Sequence, residues 1–226
     1  MRNSFILVMI GIVLLSCSGQ KEKAPNSNPE QIAEKKVSRK TILFFGNSIT
    51  AGYQLDLSEA FPALIQERLD SLGLPYQTVN AGLSGETTAS GDSRVEWVLN
   101  NPADIFVLEL GANDGLRGIK TDETQKNLQN IIDKVKNKNP DCKIVLAGMM
   151  IPPNMGQEYT SAFQKIYPEL ADINDIPLIP FLLEGVAGES DLNLQDGIHP
   201  NVEGHQILAE NVWKVIFPLL TKPEAS

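Results

Sequence analysis

A three-layer α/β/α sandwich built on a mostly parallel five-stranded sheet is the fold class this sequence predicts, and three observations predict it. Short apolar runs alternate along the chain with segments of helical periodicity. Within the runs consecutive positions are apolar, so both faces of each strand are expected to be buried, as in a parallel sheet covered by helices. At 226 residues, 42% of them hydrophobic, one domain spanning residues 40–220 accounts for the whole pattern.

The elements follow in order. Residues 41–46 (TILFFG) make the first strand, and Phe61, Leu64, Ile65, Leu69 and Leu72 then fall on one helical face. Residues 76–82 (YQTVNAG) make the second strand and 105–111 (IFVLELG) the third. Leu128, Ile131, Ile132 and Val135 mark a helix whose first turn carries Asp122 and Glu123, where negative charge suits the dipole. Residues 143–150 (KIVLAGMM) are the fourth strand; Phe163, Ile166, Tyr167 and Leu170 mark another helix, which Pro168 is expected to bend or end. IPLIPF, 176–181, is a short fifth strand. The last helix starts after Pro200 with Asn201 as its cap and buries Ile207, Leu208, Val212 and Ile216.

Residues 1–16 read as an export signal, since Arg2 precedes an apolar run too short to span a bilayer. The run ends in Leu14-Leu15-Ser16-Cys17, which looks like a bacterial lipoprotein box, with cleavage before Cys17 and lipid on its sulfur; a secretory leader that happens to contain a cysteine is the alternative. Residues 17–39 would then be the lipidated cysteine and a polar tether, and 221–226 a flexible tail. Acyl chains partition at about 0.8 kcal/mol per CH2, enough for an anchor without a spanning segment. The expected location is the bacterial cell envelope, lipid-anchored and facing the periplasm or on the outer-membrane surface.

A formal net charge of −9 makes nucleic acid a poor partner, and loss of Arg2 with the leader makes the chain more acidic still. No obligate protein partner is implied. With Cys17 lipidated, Cys142 is the only thiol left, which excludes an internal disulfide and suits a buried structural cysteine. Two histidines without clustered cysteines give no catalytic zinc set, and the turn after the first strand lacks the G-x-G-x-x-G of a dinucleotide site, so no metal and no cofactor are expected.

In such a sheet, ligands gather beyond the carboxyl ends of the strands. Four polar islands lie there: Ser48 in GNSITAGY; NAGLSGE, 80–86; GANDG, 111–115; and DGIHP, 196–200. A serine hydroxyl needs a neighbouring base to become a nucleophile, and His199, in its loop, is favoured over His205, which lies within the last helix. Asp196 is three residues ahead of His199, close enough in a turn to orient the imidazole. Gly85, Asn113 and the Ser48 N–H offer donors for an oxyanion. Taken one at a time, these residues are equally well explained as a helix cap and turn formers.

In order and spacing the four islands resemble the four blocks of the SGNH hydrolases, the GDSL esterase and lipase superfamily, and the branch of acyl-CoA thioesterase I, lysophospholipase L1 and arylesterase. That resemblance covers nearly all of residues 40–218 and implies a flavodoxin-like sheet. It further implies Ser48 as nucleophile, His199 as general base and then acid, Asp196 as its orienting partner, and an oxyanion hole of Ser48, Gly85 and Asn113. The family usually has aspartate where this chain has Asn47, which is expected to hold the turn without changing the mechanism.

Leu83, Ser84, Leu116, Met150, Ile151 and Pro152 are the expected pocket walls, and their apolar character fits an acyl group. The implied activity is hydrolysis of short-to-medium acyl carboxylic esters or thioesters through an acyl-enzyme. A carbohydrate acetyl esterase of the same fold is the alternative, and a non-enzymatic ligand-binding surface lipoprotein is the alternative from another class.

Overall fold

The computed structural model describes residues 39–220. The expected leader, the Cys17 lipidation site, the tether up to residue 38 and the tail lie outside the described residues. Five strands, β1 (Lys40–Gly46), β2 (Tyr76–Gly82), β3 (Ile105–Glu109), β4 (Lys143–Ala147) and β5 (Leu178–Ile179), form one parallel sheet in the order β2-β1-β3-β4-β5. This is the flavodoxin-like order, and the chain reverses its direction of winding between β1 and β3, where a ligand crevice opens. The register sets Gly46 of β1 beside Gly82 of β2 and Glu109 of β3, so three strand ends stop at one level.

The apolar runs become strands because helices cover them. All of Ile42–Phe45 and Ile105–Leu108 is at most 2% exposed. The helices are α1 (Ser48–Ala51), α2 (Phe61–Ser71), α3 (Thr88–Val98), α4 (Ala112–Leu116), α5 (Thr121–Lys138), α6 (Gln157–Asn174) and α7 (Val202–Ile216). Helices α3, α5 and α6 pack side by side as one group, and α2 packs on α7 as another. No helix among the described residues is long and apolar enough to cross a membrane.

Several expectations are corrected. Helix α3 has no counterpart in the apolar periodicity, because its buried face is Thr88, Gly91, Val95 and Val98 while Trp97 is 73% exposed. A reciprocal cap between Thr87 and Ser90 starts it, and Gly91 lets it approach the sheet: a Cβ there would lie 2.4 Å from Leu110 Cδ1. Leu72 lies past the end of α2 as its cap and is exposed. Pro168 does not end α6, which runs on to Asn174; the proline sits on the exposed side while Phe163, Ile166, Tyr167 and Leu170 stay buried, and that packing offsets the lost hydrogen bond. Strand β5 is only two residues long because Pro177 and Pro180, without N–H groups, flank it. Strand β3 stops at Glu109, since Gly111 takes φ 114° to cap α4. Cys142 is only partly buried, just ahead of β4, and burial together with the charge of Asp104 pushes its thiol up to about 12, as befits an unreactive cysteine.

Asn201 caps α7 as expected, accepting the Gly204 N–H at 3.0 Å. His205 is buried at 1% exposure, accepts the Phe61 N–H on Nδ1 at 3.1 Å and stacks on the Phe61 ring. Burial lowers its pKa to about 4. Between pH 6.5 and 4 the unfolded chain then carries a proton that the folded chain refuses. The stabilisation is fully present above pH 6.5 and is lost as pH falls towards 4, by about 3 kcal/mol in all. His205→Asn, whose Oδ1 can accept the same N–H without titrating, is expected to flatten that slope in denaturant melts across this window. An unchanged slope would assign the acid sensitivity to other groups.

Candidate active site

The site is assembled from the turn after β1. Gly46 has to be glycine, because a Cβ would lie 2.1 Å from Thr50 Oγ1 and 2.4 Å from Glu109 Oε2. Asn47 caps the one-turn helix α1, its Oδ1 accepting the Ile49 N–H at 2.9 Å with the Ser48 hydroxyl 3.4 Å away. Capping thus falls to Asn47 and leaves the Ser48 hydroxyl free for another partner. That partner is His199: Nε2 lies 2.9 Å from Ser48 Oγ.

The loop before α7 presents the histidine. Asp196 Oδ1 accepts the N–H groups of Ile198 and His199 at 2.9 and 3.0 Å, and its Oδ2 lies 2.7 Å from His199 Nδ1. Burial acts to raise the Asp196 pKa, but the two N–H groups and the imidazole outweigh it and bring the carboxyl down to about 2. An ionised Asp196 accepts the Nδ1 proton, which leaves the Nε2 lone pair facing the serine hydroxyl. Tyr53 closes one side, its ring centroid 4.5 Å from that of His199. His205 takes no part, being committed to Phe61.

Gly85 and Asn113 are brought together by the segment between β2 and α3. Asn113 Nδ2 donates to the Glu86 carbonyl at 3.0 Å, so one of its two N–H bonds fixes the loop that carries Gly85. Gly85 has φ 81°, and its carbonyl accepts from Arg117 Nη2 at 3.0 Å. The Glu86 side chain is fully buried and paired with Arg94, which also donates to the Ala81 carbonyl and lies over the Phe45 ring. Gly82 accommodates α1, since a Cβ would sit 2.3 Å from the Ala51 nitrogen. Asp114 is buried and accepts from Thr88 N and Oγ1 and from Thr124 Oγ1, tying α4 to α3 and α5.

An apolar cavity of about 430 Å³ opens beside the triad; of the six residues read as pocket walls, Leu116, Met150, Ile151 and Pro152 line it, together with Ile49, Phe181, Leu183 and Ile198. Leu83 and Ser84 fall outside it. Leu83 instead lines a larger groove of about 850 Å³ along the β2 edge with Trp97 and Val79; the smaller cavity is the one that adjoins the chemistry, because Ile49, Ala112, Gly197 and Ile198, the chain neighbours of Ser48, Asn113, Asp196 and His199, line it.

Sequence reasoning missed Tyr53, Arg94, Glu86, Arg117 and, above all, Glu109. Glu109 is 1% exposed and binds Asn47 and Thr50, and burial pushes its carboxyl up to about 7 against the hydrogen bonds from those two residues. The one signal in the sequence was a lone carboxylate at the end of an apolar strand.

Comparison with known proteins agrees with this geometry. Residues 44–207 match the model of the GDSL-like Lipase/Acylhydrolase family. The chain is 40% identical to Esterase TesA of Pseudomonas aeruginosa over 188 residues, 82% of this chain and 92% of that protein. It is 38% identical to Thioesterase 1/protease 1/lysophospholipase L1 of Escherichia coli K12, covering 80% of this chain and 85% of that protein. It superposes with a TM-score of 0.75 on the crystal structure of the psychrotrophic esterase EstA from Pseudoalteromonas sp., inhibited by monoethylphosphonate; that structure is 29% identical, and the match covers 80% of this chain and 98% of that one.

Proposed function

The chain belongs to the GDSL-like lipase/acylhydrolase family, the SGNH hydrolases, and on that premise we propose that Ser48, His199 and Asp196 perform its esterase chemistry. It is a serine-hydrolase-type enzyme acting on carboxylic esters or thioesters. The observation that carries the residue assignment is the unbroken path from Asp196 Oδ2 through His199 to Ser48 Oγ, with contacts of 2.7 and 2.9 Å.

His199 Nε2 takes the Ser48 proton as Oγ bonds to the acyl carbon, while Asp196 stabilises the imidazolium formed. The carbonyl π electrons move onto oxygen, and the Ser48 and Gly85 N–H groups and the second N–H of Asn113 donate hydrogen bonds to the oxyanion so formed. Collapse breaks the bond to the alcohol or thiol, which leaves with the proton from His199. Water then gives a proton to His199, adds to the acyl carbon and releases the acid, and Ser48 recovers its proton. Leu116, Met150, Ile151 and Pro152 receive the acyl chain, and their apolar surface favours short-to-medium acyl groups.

The test is covalent labelling by an organophosphonate. Wild type is expected to gain one phosphonyl adduct, mapped to Ser48 by mass spectrometry, and Ser48→Ala to gain none; a folded wild type that stays unlabelled would refute the assignment. A panel of p-nitrophenyl esters, acyl-CoA, lysophospholipid and acetylated sugars ranks the substrates, and exclusive use of acetylated sugars would favour the deacetylase reading. For location, the reading is a bacterial envelope enzyme lipid-anchored through Cys17, supported by Leu14-Leu15-Ser16-Cys17 and the polar stretch after it.

A further inference from the structure

Glu109 is the buried titratable group that this mechanism does not use. It ends β3 directly beneath the nucleophile turn. Its Oε2 accepts the Asn47 N–H at 3.0 Å and the Thr50 hydroxyl at 2.8 Å, and its Oε1 accepts Asn47 Nδ2 at 2.6 Å. An asparagine side chain has one acceptor end and one donor end. Here the acceptor end is committed to the Ile49 N–H, so the donor end has to face Glu109. Every polar contact on the carboxylate is therefore a donor, which complements the ionised form. A proton on Oε1 would meet the Asn47 amide NH2. A proton on Oε2 would meet the Asn47 main-chain N–H, which cannot rotate away.

We propose that Glu109 is a positioning residue for Ser48: its ionised carboxylate, acting through Asn47, holds the nucleophile turn in line with His199, and protonation loosens that turn. The inference rests on Ser48 being the nucleophile. The groups around the carboxylate come from three elements. Strand β1 contributes Gly46, whose missing side chain makes the space. The α1 turn contributes Asn47 and Thr50. Helix α6 contributes Tyr167, which donates to the Leu110 carbonyl at 2.9 Å and is kept protonated by burial and by the charges of Glu109 and Asp114. Among the described residues no salt bridge reaches Glu109. Burial without a counter-charge is why it titrates near neutrality, at about 7, rather than in the usual carboxylate range. Turnover thus depends, on its acid side, on Glu109 being deprotonated to support the turn.

The experiment compares wild type with Glu109→Gln, with the exchange Asn47→Asp/Glu109→Gln, and with Thr50→Val. Phosphonate labelling rates and pH profiles of kcat/KM are the readouts, and thermal melts report folding. Glu109→Gln sets one amide NH2 against another and is expected to slow labelling by about 10- to 100-fold, the scale of a misplaced reacting group. It is also expected to remove the Glu109 inflection from the acid limb. The exchange restores the hydrogen bond with its polarity reversed: the introduced carboxylate accepts from the introduced amide, whose oxygen accepts from the N–H of position 47 and the Thr50 hydroxyl. Labelling is expected to return to within about tenfold of wild type. Thr50→Val removes one donor from the charged form and is expected to move the Glu109 inflection to higher pH while keeping the alkaline plateau. Wild-type labelling and an unchanged acid limb in Glu109→Gln would overturn the proposal, as would a folded exchange variant no faster than Glu109→Gln, or an unmoved limb in Thr50→Val. Should Glu109→Gln not fold, the exchange and Thr50→Val decide the matter. An unlabelled wild type, by contrast, would remove Ser48 as nucleophile.

Discussion

Replacing His199 by alanine is expected to lower kcat by about 10²- to 10⁴-fold, the usual contribution of a positioned general acid and base. Among the described residues its Nε2, 2.9 Å from Ser48 Oγ, is the only basic atom on the nucleophile. The proton moves in the transition state and not on binding, so KM should change little. The ring sits in a loop, partly open to solvent, and the thermal midpoint is expected to stay close to wild type. Steady-state kinetics on a p-nitrophenyl ester, with a melt on the same sample, checks both statements. A loss confined to KM would mean that His199 binds substrate and does not move a proton.

Replacing Asn113 by alanine is expected to lower kcat by about 10²- to 10³-fold, the typical cost of one oxyanion donor. Two effects combine in this side chain. One N–H is proposed to meet the oxyanion, while the other holds the Glu86 carbonyl and with it the loop of Gly85. Two donors therefore weaken together. Arg117 on the Gly85 carbonyl and Arg94 on Glu86 still restrain that loop, so the fold should survive. Asn113→Asp should be worse than alanine, since it sets a carboxylate where negative charge develops. An aspartate variant faster than alanine would exclude an oxyanion contact.

Much of the site was legible because its parts are local. Asp196 and His199 are three residues apart, and a single Asx turn brings the carboxylate to the imidazole and to its own backbone N–H groups. Asn201 likewise announces α7 from sequence alone. Other parts were hidden because their partners are remote. Helix α3 shows no apolar stripe, since Thr88 and Gly91 make up half of its buried face and Gly91 lets it approach Leu110 and Phe45. Leu83 looked like a pocket wall because it sits between Gly82 and Gly85, yet its side chain lines the β2 edge groove. Glu109 reads as one polar residue in an apolar strand, and nothing within ten positions reveals that Asn47 receives it.

By itself the sequence determined the strands, most of the helices and the four polar islands, since continuous apolar runs, helical periods and turn formers act over a few residues. It also set Asp196 three residues ahead of His199, within reach of the imidazole in a single turn. The tertiary structure decided which islands meet. Ser48 and His199 are 151 positions apart and come within 2.9 Å only because β1, β2 and β3 end at one level of the sheet and α7 returns beside them. It also decided the role of Asn47. An asparagine can donate or accept, and local sequence leaves that choice open. A buried carboxylate 62 positions away requires a donor, and that long-range contact settles which end of the amide faces it.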